Sequence, residues 1–234
     1  MKYIGVLLCV ALLSFLLYYA SHGGLVSTHV INMDKSIDRL AQFLRIASYA
    51  DITATRWPGV NGKALGPADL LKYNVPRGIY EKYERDRRLG VIGCYLSHAT
   101  LLRHLESAPV GDKDYHLICE DDAVLPNNCR SVIAGLVARL PTDWDILQLY
   151  NNKPKTVPWS GNLHTLAPDA TDHNWGNVAY LVRHGSLPKI NAHLAVMRGP
   201  VDNQLLEKAQ TWKWFCVVPN LVSTEDGGKS TLND

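Results

Sequence analysis

The sequence lacks a strong charge of either sign. Its 234 residues include 24 Lys and Arg against 22 Asp and Glu, a formal net charge of +2. Proteins whose main partner is nucleic acid usually carry a basic excess, so this balance disfavours that class. Internal repeats and low-complexity tracts are also absent from the sequence. With 47% hydrophobic and 20% charged residues, it has the composition of an ordinary globular protein.

Cysteine is scarce, and no two cysteines have the C-x-x-C spacing that is typical of a structural zinc site. Cys9 lies in an apolar N-terminal segment, and the other four cysteines are Cys94, Cys119, Cys129 and Cys216. These four permit up to two disulfides in three pairings, and buried free thiols are an equal alternative. The sequence also contains no N-x-S/T site for N-glycosylation.

The N-terminus is the most apolar part of the sequence. Residues 4–20 carry no charged side chain, and as a helix they would extend about 26 Å, close to the core of a thin bilayer. We therefore predict an uncleaved transmembrane signal anchor with a short stem over 1–24, and one catalytic domain over 25–234. This predicts a single-pass protein in the lipid bilayer, with its domain in the lumen of the endoplasmic reticulum or Golgi. The alternative is a cleaved signal peptide and a secreted protein.

Strands and helices alternate along the rest of the chain. Apolar, β-branched runs predict strands at 25–32, 115–119 and 144–150, and helical periodicity predicts helices at about 89–105 and 131–140. We interpret residues 65–88 as an irregular, charged excursion. The alternation is typical of an α/β domain with a mainly parallel sheet, and no linker-like composition divides it.

Three consecutive acidic residues, Glu120, Asp121 and Asp122, follow the apolar strand at 115–119. In open α/β sheets, ligands bind beyond the carboxyl ends of the strands, where these side chains are expected. Adjacent carboxylates repel one another, and Mn²⁺ or Mg²⁺ would offset that repulsion. Alternation along an extended backbone places Glu120 and Asp122 on one side, so Asp122 is predicted as the main metal ligand. A solvated acidic turn is the alternative.

Six segments, in order, resemble the signatures of glycosyltransferase family 25, which includes bacterial lipo-oligosaccharide galactosyltransferases and collagen hydroxylysine galactosyltransferases. They are VINMDKSIDRL at 30–40, GVIGCYLSH at 90–98, LICEDDA at 117–123, WDIL at 144–147, GNVAYL at 176–181 and PVD at 200–202. The resemblance covers roughly residues 29–231. It implies a GT-A-type, Rossmann-like nucleotide-sugar-binding domain that uses a UDP-sugar donor, commonly UDP-galactose, with Mn²⁺. It further implies transfer of the hexose, with inversion, to a protein or glycan hydroxyl.

The resemblance also implies the residues that contact the donor. They are Asn32, Arg39, Ser97, His98, Glu120, Gly176 and, in the polar C-terminal stretch, Lys229. A guanidinium such as that of Arg39 suits a diphosphate or ribose, and we expect Ser97 and His98 near the N-terminal amides of their helix, which favour anions. Nothing in these residues distinguishes galactose from glucose.

Inverting transfer needs a base that takes the proton of the acceptor hydroxyl. Asp202 is the first candidate because it matches the acidic position of the family, and Asp145 and Asp172 are weaker alternatives. A competing explanation is that Asp202 is only the N-cap of the helix that follows it. Two other functions stay open: a catalytically inactive adhesion or scaffolding module, and a metal-dependent phosphoesterase, which would want more histidines near the acids.

Overall fold

The structure is a computed structural model that describes residues 22–169 and 176–225. Its strands are β1 Leu25–Asn32, β2 Thr55–Pro58, β3 Tyr115–Glu120, β4 Ala123–Val124, β5 Ile146–Gln148, β6 Thr156–Ser160, β7 Leu163–Leu166, β8 Ala179–Arg183, β9 Trp214–Val217 and β10 Ser223–Thr224. Its α-helices are α1 Ile37–Tyr49, α2 Pro67–Lys72, α3 Arg77–Arg85, α4 Gly90–Glu106, α5 Cys129–Val137, α6 Leu187–His193 and α7 Val201–Leu206. The strands and helices predicted from the sequence are therefore present, with ends that differ by a few residues.

The main sheet is mixed, with eight strands in the order β2-β1-β3-β8-β5-β9-β7-β6. Strand β1 pairs parallel with β2 and β3, and β5 pairs parallel with β9. Strand β8 lies antiparallel between β3 and β5, and β7 lies antiparallel to both β6 and β9. The predicted mainly parallel sheet is therefore wrong. The α/β arrangement is nevertheless consistent with a Rossmann-like fold.

Helices cover both faces of the sheet, and strand alternation assigns each side chain to one face. In β3, Leu117 and Cys119 pack into the cluster formed with α1 and α5, whereas Ile118 packs into the opposite cluster with α4, α6 and α7. All three side chains are fully buried. Because β3 is covered on both faces, its carboxyl end and the acidic residues that follow it are held in one place.

The predicted transmembrane helix at residues 4–20 lies outside the described residues. Across 22–169 and 176–225, no helix has both the length and the apolar character needed to cross a bilayer. This finding stands against the predicted single-pass membrane protein with a lumenal domain, and the described residues give no support to the bilayer as its partner.

Residues 65–88 contain helices α2 and α3, so their interpretation as an irregular excursion is wrong. Each helix starts at a proline or directly after one: Pro67 is the first residue of α2, and Pro76 is the N-cap of α3. Proline suits these positions because its fixed φ matches the first turn and its missing N–H has no helical partner there. The helical pattern is weak in the sequence because most residues of these helices are charged or exposed and few apolar side chains pack inward.

Gly93 lies where α4 crosses the loop after β2. A Cβ atom at position 93 would lie 2.3 Å from the carbonyl oxygen of Val60 and 2.7 Å from the backbone nitrogen of Gly62. A Cβ atom at position 135, in α5, would instead point into open space. We expect Gly93→Ala to lower the free energy of unfolding by about 1–3 kcal/mol. Gly135→Ala should raise it by about 0.5–1 kcal/mol. Urea denaturation of both variants checks this, and equal effects would show that the crossing is not tight.

A chain of buried polar side chains joins β1, β3 and the turn after β8. Ser27 Oγ and His116 Nδ1 share a hydrogen bond of 2.8 Å, and His116 Nε2 lies 3.2 Å from His184 Nδ1. His116 is 1% exposed. Burial, helped by the neighbouring histidines His184 and His29, lowers the pKa of His116 to about 4. The imidazole is therefore neutral at physiological pH.

The buried His116 makes the stability of the fold depend on pH. Its folded pKa of about 4 lies below the ordinary 6.5, so its contribution is complete above pH 6.5 and is lost as pH falls towards 4. The loss amounts to about 3 kcal/mol of unfolding free energy. We expect His116→Gln to be less stable at pH 7 but to lose less stability on acidification. Urea denaturation at pH 7 and pH 4.5 measures the difference, and identical pH slopes would contradict it.

Candidate functional site

A cleft of about 760 Å³ opens at one edge of the sheet. It is lined by residues at or just beyond the carboxyl ends of the parallel strands β1, β2, β3 and β5 and by the residues that precede the antiparallel β8. Such an edge, where neighbouring chain segments diverge, is where α/β sheets bind ligands. The cleft is also closed on one side by α4 and by the start of α7.

Most of the predicted site residues come together in this cleft. Those that line it are Arg39, Ser97, His98, Glu120, Asp121, Asp122, Gly176 and Asp202. Asn32 is 2% exposed and contacts Asp121 rather than the cleft itself. Lys229 and the alternative base Asp172 lie outside the described residues. The other alternative base, Asp145, does not line the cleft: its buried carboxylate lies 2.6 Å from Lys189 Nζ and accepts the backbone N–H of Lys213.

The three acidic residues differ in what their oxygens contact. Arg39 Nη2 lies 2.7 Å from Asp121 Oδ1 and 3.6 Å from Asp122 Oδ2. Asn32 Nδ2 donates to the second oxygen of Asp121 at 2.7 Å. Asp121 therefore has both oxygens engaged. In contrast, Asp122 Oδ1 is buried and has no hydrogen-bond partner within the described residues. Among the described residues of the triplet, it is therefore Asp122 that has a buried carboxylate oxygen without a hydrogen-bond partner.

Burial makes the negative charge of Asp122 costly. Loss of water and the nearby carboxylate of Glu120 together raise the pKa of Asp122 to about 6, against the opposing charge of Arg39. Burial also raises the pKa of Asp121, against the hydrogen bond from Asn32 and the charge of Arg39. A buried acid with an unmatched oxygen and a raised pKa is typical of a functional site. The alternative interpretation as a solvated acidic turn does not fit this burial.

Arg39 contacts the acidic residues as well as the cleft. Its guanidinium lies against Asp121 and Asp122, where it offsets part of the repulsion within the triplet. It also lines the cleft, with about a third of its side chain exposed. Arg56 positions Asn32, because its Nε donates to the side-chain oxygen of Asn32 and its Nη2 donates to the backbone oxygen of the same residue. The Asn32 amide is thereby oriented with its Nδ2 towards Asp121.

Ser97 and His98 lie in the middle of α4, eight and nine residues into the helix, so the expectation that its N-terminal amides adjoin them is wrong. Ser97 Oγ accepts the N–H of Val60 at 2.8 Å and donates to the carbonyl of Gly93 at 2.7 Å. The Ser97 hydroxyl thus holds the loop after β2 against the helix. His98 lies between Tyr180 Oη, 3.1 Å from its Nδ1, and Glu120 Oε1, 3.2 Å from its Nε2.

Asp202 is not a helix N-cap. Pro200 is the N-cap of α7, and Asp202 lies in its first turn. Its Oδ1 accepts the N–H of Asn203 at 2.9 Å, and its Oδ2 lies 3.4 Å from the backbone nitrogen of Gly176. Gly176 has φ +101°, and a Cβ there would lie 2.9 Å from the ring of Tyr150. Only glycine allows the segment before β8 to pass so close to Tyr150 and Asp202.

Sequence reasoning missed several polar groups of the cleft. Asn177 is 5% exposed, lines the cleft, and its Nδ2 has no partner within the described residues. The GNVAYL segment resembles a family signature, but nothing in its sequence marks Asn177 as a residue of the cleft. Lys35 and Arg88, both exposed, also line the cleft. Lys35 lies within the first signature and Arg88 lies two residues before the second, so a search for basic residues in and beside those signatures finds both.

The four cysteines of the described residues are all free thiols. Cys119, Cys129 and Cys216 are buried, and burial raises the pKa of each. Cys94 alone among them is partly accessible and lines the cleft, and desolvation with the nearby carboxylate of Glu120 raises its pKa as well. Of the two alternatives open from the sequence, the structure therefore has free thiols.

Comparison with known proteins gives one family. No curated protein matches the chain significantly. The family model described as "Glycosyltransferase family 25 (LPS biosynthesis protein)" matches residues 26–168, which is more than half of the chain. The matched range contains the acidic triplet, Arg39, Ser97 and His98, and the volume of the cleft that they line lies in the range of small-molecule sites. The chain belongs to glycosyltransferase family 25.

Proposed function

We propose that this glycosyltransferase is a cation-dependent, inverting hexosyltransferase that uses a UDP-sugar, with UDP-galactose as the first candidate donor, and a protein or glycan hydroxyl as acceptor. The observation that carries the proposal is the buried Asp122 Oδ1 in the cleft, for which residues 22–169 and 176–225 supply no hydrogen-bond partner. Buried polar atoms almost always have a hydrogen-bond partner, so an oxygen in this state points to a ligand that binds it in the working protein. The family supports sugar transfer, and the choice of UDP, hexose and inversion rests on the sequence resemblance.

The donor set at the acidic triplet fits Mn²⁺ or Mg²⁺. Asp122 offers its open oxygen, and Glu120, a third exposed, offers a second carboxylate nearby. Hard divalent cations bind proteins through one or two carboxylates and take their other ligands from water and substrate phosphates. When bound, the cation neutralises charge that develops on the leaving diphosphate. Asp121, with both oxygens engaged, holds Arg39 and Asn32 in place, so its expected role as a ligand becomes secondary.

The cleft also offers cationic side chains to a nucleoside diphosphate. Lys35 follows β1, and Arg88 precedes α4, and both side chains are exposed at the cleft. Their charges offset the diphosphate without the cost of burying an unpaired cation. We further propose that the Nδ2 of Asn177 donates to an oxygen of the donor, because this buried amide has no partner within the described residues. Gly176 brings the same segment close to the sugar.

Asp202 is the proposed base. Its carboxylate lies at the cleft, its Oδ2 is only weakly held by the Gly176 N–H at 3.4 Å, and its charge is not paired with a cation in any ion pair of the described residues. As the acceptor oxygen bonds to the anomeric carbon, Asp202 takes the hydroxyl proton. The bond from that carbon to the phosphate oxygen breaks with its electron pair, and UDP leaves on the opposite face. Attack and departure on opposite faces give inversion.

Hydrolysis of nucleotide sugars by the full chain tests this proposal without knowledge of the acceptor. The assay compares UDP-galactose, UDP-glucose, GDP-mannose and CMP-sialic acid, each with Mn²⁺, with Mg²⁺ and with a chelator. We expect UDP-hexose hydrolysis that requires a divalent cation and is fastest with UDP-galactose. A preference for GDP- or CMP-sugars, or equal rates with the chelator, would overturn it. Absence of both hydrolysis and UDP binding would favour the inactive scaffolding module instead.

A further inference from the structure

Three side chains of different chemistry converge within the cleft. They are the thiol of Cys94, the imidazole of His98 and the carboxylate of Glu120, and one ligand atom of each lies within 4.8 Å of the other two. All three residues line the cleft. Of the histidines, cysteines and acids in the described residues, no other three meet in this way. Sequence spacing alone does not reveal this group, because Glu120 lies 22 residues beyond His98.

Local structure explains why the three meet. Cys94 and His98 lie four residues apart in α4, so their side chains project from one face of the helix. Glu120 is the last residue of β3 and extends from the sheet towards that face. His98 is 1% exposed, and its Nδ1 is hydrogen-bonded to Tyr180 Oη at 3.1 Å. That contact fixes the ring with Nε2 directed at Glu120, 3.2 Å away. Metal-binding histidines are oriented by such a hydrogen bond at their other nitrogen.

We propose that Cys94 Sγ, His98 Nε2 and the Glu120 carboxylate form a binding site for a thiophilic divalent cation of the Zn²⁺ class. Thiolate, imidazole and carboxylate are the three ligand types that Zn²⁺ uses, and three protein ligands leave a fourth position open to the cleft. On binding, the metal–sulfur bond replaces the S–H bond, and the thiol proton goes to solvent. The site does not depend on the proposed sugar transfer.

The Cys94–His98–Glu120 site differs in its ligand types from the proposed Mn²⁺ or Mg²⁺ site at Asp122. Asp122 offers only oxygen, which suits Mn²⁺ and Mg²⁺, whereas the thiol of Cys94 selects softer ions. Glu120 belongs to both sets. A cation bound to Cys94 and His98 would therefore withdraw Glu120 from the hard cation, and this consequence alone rests on the proposed function. The expected effect is that Zn²⁺ inhibits Mn²⁺-dependent hydrolysis.

Cobalt(II) is the probe for the site, because its spectrum reports both thiolate ligation and coordination number. We expect the full chain to bind one Co²⁺ per molecule, with a sulfur-to-metal charge-transfer band and the intense visible bands of four-coordinate cobalt. Cys94→Ser keeps the size of the side chain and removes the soft ligand, so the charge-transfer band should be lost. Cys216→Ser is the matched control, since Cys216 is buried in β9 and its Sγ contacts the His164 carbonyl at 3.7 Å. Its cobalt spectrum should equal that of the unmodified chain.

The proposal is overturned if the unmodified chain gives no thiolate band, or if Cys94→Ser retains it. A second measurement needs no variant. Cys94 is the accessible thiol of the described residues, so iodoacetamide should alkylate it, and Zn²⁺ should slow that reaction at least tenfold, as followed by peptide mass mapping. Equal alkylation rates with and without Zn²⁺ would also overturn it. Neither readout uses a nucleotide sugar, so failure of this site and failure of the proposed transferase remain distinguishable.

Discussion

Asp202→Asn is expected to lower sugar transfer by about 100- to 10,000-fold, the usual effect of removing a positioned base. The amide cannot usefully accept the proton of the acceptor hydroxyl. It can still accept the N–H of Asn203, and Pro200, not residue 202, caps α7. The melting temperature and the affinity for UDP should therefore change little. Initial-rate measurements with a glycan acceptor, together with UDP titration, separate the chemical step from binding.

Glu207→Gln is the matched control for that variant. Glu207 follows α7, pairs with Arg198 at 2.6 Å and does not line the cleft. The two substitutions remove the same charge from the same segment, so they share any long-range electrostatic effect. Transfer by Glu207→Gln should stay near the unmodified rate. Near-normal turnover by Asp202→Asn would show that Asp202 is not the base. Asp145 would not replace it, because its carboxylate is buried away from the cleft.

Asp122→Asn is expected to weaken cation-dependent UDP binding by more than about 100-fold. Substitution of residues that hydrogen-bond to metal ligands already lowers metal affinity by about 10- to 100-fold. The Asp122→Asn substitution removes the charge of a proposed ligand itself. The free energy of unfolding should not fall. Because the folded pKa of Asp122 is raised to about 6, its ionisation lowers the unfolding free energy as pH rises through that value. Asparagine removes that cost, so the melting temperature at pH 7.5 should rise.

Asp143→Asn provides the comparison for Asp122→Asn. Asp143 is exposed, pairs with Lys213 and lies away from the cleft. Its neutralisation should leave UDP binding with Mn²⁺ unchanged and should not raise the melting temperature. Calorimetric titration of UDP, with and without Mn²⁺, measures both variants. Unchanged Mn²⁺-dependent affinity in Asp122→Asn would remove Asp122 from the site, and a fall in its melting temperature would show that its charge supports the fold.

The position of the acidic residues at the edge of the sheet followed from the sequence because it depends on local patterns. A strand that is apolar on both faces and ends in three acids predicts carboxylates at the edge of a sheet, and Glu120, Asp121 and Asp122 line the cleft. Which of the three has an open oxygen does not follow from local pattern. That depends on Arg39 and Asn32, which lie more than 80 residues earlier and engage Asp121.

The direction of β8 shows where sequence reasoning stopped. Residues 179–182 are all buried, and a strand that is covered on both faces has the same continuous apolar pattern whether its neighbours run parallel or antiparallel. Its antiparallel course brings the amino end of β8 to the carboxyl end of β3. As a result, Gly176 and Asn177 reach the cleft before the strand begins. Only the tertiary arrangement reveals Asn177 as a site residue.

The role of Asp202 depended on one helical position. An acid followed by a helix-forming stretch favours an N-cap at that acid, but the preceding Pro200 takes the position instead. Proline has no N–H to lose, and its φ of −54° leads into the first turn. Asp202 is thereby turned into the cleft, with its Oδ2 towards the Gly176 N–H.

Diffraction from crystals grown with UDP and Mn²⁺, recorded at a wavelength where manganese scatters anomalously, tests the central claim most directly. We expect one manganese peak in the cleft, beside Asp122 Oδ1 and the UDP diphosphate, with the Asp202 carboxylate lining the same cleft. Manganese elsewhere on the surface, or UDP bound in the cleft without manganese beside Asp122, would contradict it.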